Sequence, residues 1–97
     1  MRIDEIKRKI KRNKEHLEQC FFVKKIGLFG SFVQREEVPE SDVDILVEFK
    51  KGHKDFFNYM RLKYYLEDLL DREVDLVIKE AVKPELKKEI LSQVVYV

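Results

Sequence analysis

The chain has 97 residues, of which 40% are charged, and its 20 lysines and arginines nearly balance its 19 aspartates and glutamates. This length predicts a single domain spanning residues 1–97, and a net charge of +1 excludes the overall basic excess of a long nucleic-acid footprint. With one cysteine, Cys20, no internal disulfide can form, and two histidines are too few for a typical zinc site. No apolar run has the length of a membrane span, and residues 1–14 lack the apolar region of a signal peptide, so we expect a reduced, cytoplasmic domain.

Two kinds of apolar pattern alternate along the chain. Apolar residues at helical spacing, such as Ile3, Ile6 and Ile10, predict helices, whereas short runs rich in β-branched and aromatic residues predict strands. Pro84 suits the first turn of a final helix. The predicted order is helix, strand, short helical turn, strand, helix, strand and helix, covering residues 2–19, 22–29, 31–36, 42–49, 56–70, 74–78 and a segment that begins at Pro84.

These elements predict an α/β fold in which a three-stranded mixed sheet is flanked by helices. A helix separates the second and third strands, which is typical of a right-handed crossover between parallel strands. The loop between the first and second strands has room only for a helical turn, which favours antiparallel pairing. This pairing would bring Gly30, after the first strand, close to Asp42, at the start of the second.

The second predicted strand begins with two carboxylates, Asp42 and Asp44, which share one face because side chains alternate along a strand. Adjacent carboxylates repel each other, and Mg²⁺, which is typically held by one or two carboxylates plus substrate phosphates, removes that repulsion. Asp75 reaches the same site if the third strand is parallel, as a further metal ligand or as a base for an incoming hydroxyl. The competing interpretation is that Asp42 and Asp44 form a solvated strand edge, with Asp75 a surface carboxylate or the partner of a nearby arginine.

Gly30 and Ser31 lie at the start of the short helical turn. Glycine lets the backbone approach a phosphate closely, free N–H groups there favour an anion, and the Ser31 hydroxyl can hydrogen-bond a phosphate oxygen. A phosphate-binding turn and metal-binding carboxylates would then meet at one edge of the sheet, as an in-line displacement at phosphorus requires. The structural alternatives are that Gly30 is an ordinary turn glycine and that Ser31 caps the helical turn.

The spacing Gly30-Ser31, ten residues, Asp42, one residue, Asp44 resembles the signature of the DNA polymerase beta-like nucleotidyltransferase superfamily. Within it the chain resembles the minimal nucleotidyltransferase (MNT) proteins over nearly its whole length, notably in residues 39–49, 71–77 and 89–97. The resemblance implies that Gly30 and Ser31 contact a nucleoside triphosphate and that Asp42 and Asp44 hold Mg²⁺. It also implies that Asp75 is the third acidic residue of this catalytic site.

The same resemblance implies a biological role. Many MNT proteins are antitoxins that neutralise an all-helical HEPN toxin by transferring AMP from ATP to a tyrosine of the toxin, which implies a hetero-oligomer. One departure is that many relatives carry a small residue followed by Arg-Gly where this chain has Val33-Gln34-Arg35, so Arg35 is the candidate to serve the phosphates from one position along. The alternative function is an antitoxin with a weak or inactive catalytic site that neutralises its toxin by binding alone.

The first predicted helix carries a cluster of basic residues that neither function uses. Such a cluster is most often the solvated face of an amphipathic helix. A more distant hypothesis is contact with RNA, which would depend steeply on salt and on Lys7, Lys11 and Lys14. The cluster consists of Arg2, Lys7, Arg8, Lys9, Lys11, Arg12 and Lys14.

Overall fold

The structure is a computed structural model that describes residues 1–40 and 42–97. The helices are α1 (Ile3–Arg12), α2 (Lys14–Cys20), α3 (Phe32–Arg35), α4 (Phe56–Leu70) and α5 (Pro84–Gln93), and a 3-10 turn covers Lys79–Ala81. The strands are β1 (Val23–Phe29), β2 (Asp42–Phe49), β3 (Glu73–Ile78) and β4 (Val95–Tyr96). Ser41, which belongs to one of the stretches that resemble MNT proteins, lies outside the described residues.

The four strands form one mixed sheet in the order β3-β2-β1-β4. β1 is antiparallel to β2, and β3 is parallel to β2, as the two connections predict. β4 pairs antiparallel with β1 at Gly27 and Leu28. The predicted α/β fold with a mixed, helix-flanked sheet is confirmed. The predicted count of three strands is one short, because a two-residue strand is too short to show an alternating pattern.

The single first helix predicted over residues 2–19 is in fact two helices, α1 and α2, which meet at Asn13. The Asn13 side chain donates to the carbonyl of Lys9 at 2.8 Å and accepts from the hydroxyl of Tyr65 at 3.1 Å. Asparagine side chains compete in this way with the backbone hydrogen bonds of a helix. Because Tyr65 belongs to the distant helix α4, helical periodicity alone does not reveal the break.

The core lies between one face of the sheet and the helices α1, α2 and α4. Val43, Ile45 and Val47 of β2 are fully buried and alternate with residues of the opposite face, which carries Asp42 and Asp44. The core residues of these helices recur three, four or seven positions apart along α1 and α2 and four apart along α4, and are Ile3, Ile6, Ile10, Leu17, Leu62, Leu66 and Leu70. No helix in the described part of the chain is long and apolar enough to cross a membrane.

Candidate active site

Three of the predicted site residues lie side by side on β2 and β3. The parallel register pairs Asp44 with Asp75, and Asp42 with Glu73. Paired residues of neighbouring strands are about 5 Å apart and point to the same face, so these carboxylates gather on the sheet face opposite the core. Asp42, Asp44 and Asp75 are called the acidic edge below. Glu73 adds a fourth acid beside it, which sequence reasoning did not single out because strand register is a tertiary property.

The acidic edge is electrostatically unfavourable by itself. Partial burial raises the pKa of Asp44, and the negative charges of Asp75 and Asp42 raise this pKa further. Within residues 1–40 and 42–97, no lysine or arginine forms an ion pair with any of the three carboxylates. Since none of these basic side chains offsets the repulsion among the three carboxylates, a bound cation would relieve it.

The donor set of the acidic edge fits a hard cation such as Mg²⁺. Every donor is a carboxylate oxygen, which suits Mg²⁺ and not a soft metal. Among the described residues, no group of three or more carboxylate, histidine or cysteine side chains is arranged to hold a metal ion by itself. Mg²⁺ does not require such a group, because it usually keeps waters and takes further oxygens from substrate phosphates.

Gly30 contacts the acidic edge directly. It follows Phe29, which pairs with Asp44 across the antiparallel strands β1 and β2. Its φ angle is +108°, and a Cβ atom added there would lie 2.5 Å from Oδ2 of Asp44. A side chain at this position would therefore be strained and would displace the Asp44 carboxylate. Gly30 is thus more than an ordinary turn glycine, because its missing side chain leaves room for Asp44.

Ser31 is exposed next to Gly30, at the start of α3. Its side chain makes no capping hydrogen bond to α3, so the alternative role as a helix cap is wrong. Its hydroxyl instead accepts a hydrogen bond from the guanidinium of Arg35 at 3.3 Å. Arg35 lies one helical turn further along, and no acidic side chain in the described residues pairs with it. A hydroxyl and an unneutralised guanidinium therefore stand together beside Gly30.

Arg72 is the nearest arginine to Asp75 in sequence, and it forms a hydrogen bond with a different part of the chain. Its guanidinium donates to the carbonyl of Pro39, in the loop before β2. This hydrogen bond connects the beginning of β3 to the loop that leads into Asp42. The alternative in which Asp75 serves as the ion-pair partner of a nearby arginine is not seen in the described residues.

Comparisons with known proteins agree with this geometry. A family model described as a nucleotidyltransferase domain matches residues 3–97. The protein adenylyltransferase MntA of Thermococcus cleftensis is 41% identical over 95 residues, which cover 98% of this chain and 95% of the relative.

Two solved structures share the fold. One is described as a putative minimal nucleotidyltransferase, with a TM-score of 0.82 and 29% identity, covering 98% of this chain and 95% of the other. The second is a toxin-antitoxin with AMP-PNP, with a TM-score of 0.69 and 26% identity, covering 89% of this chain and 70% of the other. With a matching family model over almost its whole length and the same fold as a minimal member, the chain belongs to the nucleotidyltransferase domain family, among its minimal members.

Proposed function

We propose that this protein is a Mg²⁺-dependent protein adenylyltransferase that transfers AMP from ATP to a tyrosine of a HEPN toxin and thereby acts as its antitoxin. The observation that carries the proposal is the register of β2 and β3, which aligns Asp44 with Asp75 beside Gly30. The name of the relative from Thermococcus cleftensis supports adenylyl transfer to protein, and the toxin-antitoxin with AMP-PNP supports a triphosphate and a toxin partner.

In the proposed reaction, Gly30 and Ser31 bind the triphosphate, with Arg35 adding a positive charge beside them. Asp42 and Asp44, with Asp75 next to them, would hold Mg²⁺, which neutralises charge on the phosphate oxygens. The tyrosine oxygen attacks the α-phosphorus while the bond from that phosphorus to the bridging oxygen breaks and pyrophosphate leaves. Asp75 is a suitable acceptor for the tyrosine proton, because its carboxylate is exposed and lies beside Asp44.

A protein acceptor suits the exposure of this site. Asp42, Asp75 and Ser31 are all exposed, so a tyrosine on the surface of a folded partner can reach them without entering a closed cavity. The HEPN class of that partner is proposed from the resemblance of the sequence to MNT antitoxins.

The test uses ATP labelled at the α-phosphate, MgCl₂ and the product of the neighbouring gene as the candidate toxin. We expect label to pass to a tyrosine of the toxin with the wild type and with Asp68→Asn, an exposed acid on α4 that serves as the matched control. Asp44→Asn should lose transfer by at least about 100-fold, as is typical when a group that stabilises charge in the transition state is removed.

Three outcomes would contradict the proposal in different ways. Label passing from the γ-phosphate would mean phosphoryl transfer, so the reaction would be wrong. Full activity of Asp44→Asn would make the metal assignment wrong. If no label passes while Asp42→Asn still neutralises the toxin through a stable complex, the protein acts by binding alone.

A further inference from the structure

A groove lined by basic residues lies at the opposite end of β1 from the acidic edge. It consists of two neighbouring cavities of about 280 and 410 Å³, and Tyr96 and Val97 line both. Lys25, at the start of β1, is four residues or roughly 13 Å from Phe29, which pairs with Asp44. The name basic groove is used below for the surface formed by Lys7, Arg8, Lys11, Lys14, Lys25 and Tyr96.

The charge of the basic groove is almost entirely of one sign. Within the described ranges, none of its four lysines or its arginine forms an ion pair. Lys24 also lines it, but this residue is paired with Glu48 at 3.3 Å, and Asp4 is the acid that the described lining contributes. Five cations without partners on one surface create a local positive potential that the net charge of +1 conceals.

The spacing of these cations suits a run of phosphates. Lys7, Arg8, Lys11 and Lys14 follow one another along one side of α1 and the start of α2. Lys7, Arg8 and Lys11 lie on α1, where four residues of helix span roughly 6 Å or about two phosphate intervals of one strand, and Lys14 follows the break at Asn13. Folding therefore brings these four cations to the lining of one groove, together with Lys25.

Tyr96 adds a planar surface within this row of charges. The side chain is 44% exposed, and the Nζ of Lys25 lies 5.7 Å from its ring centroid. Single-stranded nucleic acids bind where a basic groove follows the backbone and aromatic rings stack on bases. An acidic protein segment carries negative charge but no stack of planar bases. The combination of cations and an exposed aromatic ring in the groove therefore favours a nucleic acid.

We propose that the basic groove binds a single-stranded nucleic acid, with Lys7, Arg8, Lys11, Lys14 and Lys25 at its phosphates and Tyr96 stacked on a base. This binding is independent of the proposed adenylyl transfer and uses a separate surface. It would hold a strand on the protein while the acidic edge remains free.

The test measures fluorescence anisotropy of a labelled 12-nucleotide RNA, with DNA of the same sequence and poly-glutamate as competitors. With about five phosphate contacts, raising salt from 50 to 200 mM should weaken wild-type binding roughly 100-fold. Replacing Lys7, Lys11 and Lys14 by glutamine should reduce this salt effect to about sevenfold, because about two contacts remain.

The matched control replaces Lys83, Lys87 and Lys88 on and before α5 by glutamine, which removes the same charge outside the basic groove. This variant should keep the wild-type salt dependence. Tyr96→Ala should weaken binding roughly tenfold through lost stacking, whereas Tyr96→Phe should bind as the wild type does. Thermal melting of each variant verifies that it is folded.

Several outcomes would overturn the proposal. Equal losses in the two lysine triple variants would mean that only the net charge matters. Stronger competition by poly-glutamate than by RNA or DNA would identify an acidic protein partner instead. Loss of RNA binding in Asp44→Asn would mean that the strand binds at the acidic edge and not in the basic groove. Tighter binding of RNA than of DNA, or the reverse, would support the proposal and identify the strand. No measurable binding of either strand would disprove the proposal.

Discussion

Asp44 experiences the repulsion within the acidic edge most strongly, because it is partly buried while Asp42 and Asp75 are exposed. We therefore expect Asp44→Asn, without divalent cations, to melt at the wild-type temperature or above it, since the amide carries no charge for its neighbours to repel. Adding MgCl₂ should raise the melting temperature of the wild type and have little effect on the variant. Thermal melting followed by circular dichroism measures both effects.

Asp68→Asn provides the control for this comparison, because Asp68 is an exposed acid on α4 outside the acidic edge. It should keep the full response to MgCl₂. A clearly lower melting temperature for Asp44→Asn without divalent cations would show that repulsion does not destabilise the acidic edge. The same response to MgCl₂ in both variants would show that Asp44 does not hold the cation.

Alanine substitutions at Gly30 and Gly52 distinguish the effect of backbone strain from the effect of contact with Asp44. Both have positive φ angles, +108° and +86°, but a Cβ atom would meet Asp44 at Gly30 and nothing within 4 Å at Gly52. Alanine at either position should cost about 1–2 kcal/mol, because residues with a Cβ atom are disfavoured in this conformation. Adenylyl transfer should be lost only in Gly30→Ala. Chemical unfolding and the α-label assay measure the two properties, and an active Gly30→Ala would contradict the close packing against Asp44.

At the scale of elements, α4 protects the free edge of the sheet. β3 is an edge strand, and the amide of Val74 donates to Oε2 of Glu67 at 3.1 Å. The hydroxyl of Tyr59 donates to the carbonyl of Leu76 at 2.6 Å. Two side chains of α4 thus satisfy backbone groups of β3 that would otherwise be open to pairing with another chain.

The bond to Glu67 predicts a pH-dependent contribution to stability. The hydrogen bond from Val74 and the ion pair with Lys63 hold the pKa of Glu67 below its usual 4.5. A lowered pKa in the folded state stabilises the protein above about pH 4.5, and this stabilisation is lost as the pH falls through the folded pKa. Glu67→Gln should cost about 1 kcal/mol at pH 7 and much less at pH 3. Urea unfolding at the two pH values measures the difference.

Glu89→Gln is the control, because Glu89 is exposed on α5 and its side chain forms no ion pair among the described residues. This substitution should change stability little at either pH. If Glu67→Gln costs the same at pH 3 as at pH 7, the ionised carboxylate is not what stabilises the edge of β3.

At the scale of the whole molecule, β4 and Val97 complete the sheet by pairing with β1. The amide of Val97 donates to the carbonyl of Ile26 at 2.9 Å, and Tyr96 pairs with Gly27. A Cβ atom on Gly27 would lie 3.0 Å from the carbonyl oxygen of Val95 and 3.2 Å from Cα of Tyr96. The nearest atom would be Cγ2 of Val94 at 2.8 Å, and since the other two are backbone atoms, a side chain there requires β4 to shift by a few tenths of an ångström.

Gly27→Ala should therefore weaken the pairing of β4 with β1 while the rest of the core remains folded. We expect the Val97 amide to exchange with solvent much faster in the variant, whereas the amide of Ile45 in β2 stays protected. Hydrogen exchange followed by NMR measures both amides in one sample. Because Tyr96 belongs to the basic groove, affinity for the labelled RNA should also fall. Unchanged exchange at Val97 would contradict the close approach of β4.

The distribution of charge is also a property of the whole molecule. Nearly equal numbers of acids and bases leave a net charge of +1, yet acids gather at one end of β1 and cations at the other. The composition shows no overall basic excess. It could not reveal the basic groove, because its residues come from α1, α2, β1 and β4 and meet only in the folded chain.

The sequence by itself determined most of the elements and the faces of their side chains, the exceptions being β4 and the division between α1 and α2. The predicted bounds of β2 and α4 match the structure at both ends, because their buried residues follow clear periods of two and of three to four residues. Period two alone also places Asp42 and Asp44 on one face. The break at Asn13 was missed because the side chain that stabilises it, Tyr65, is 52 residues away.

Only the tertiary structure decided which residues meet. The register of parallel strands places Asp75 beside Asp44, the antiparallel register brings Gly30 against the same carboxylate, and the close approach at Gly27 admits the fourth strand. Such contacts depend on how distant segments pack, which local patterns of polarity do not encode. The proposed site residues were predicted from their spacing, whereas their contacts required the sheet to be assembled, because a strand's period fixes its faces but not its neighbours.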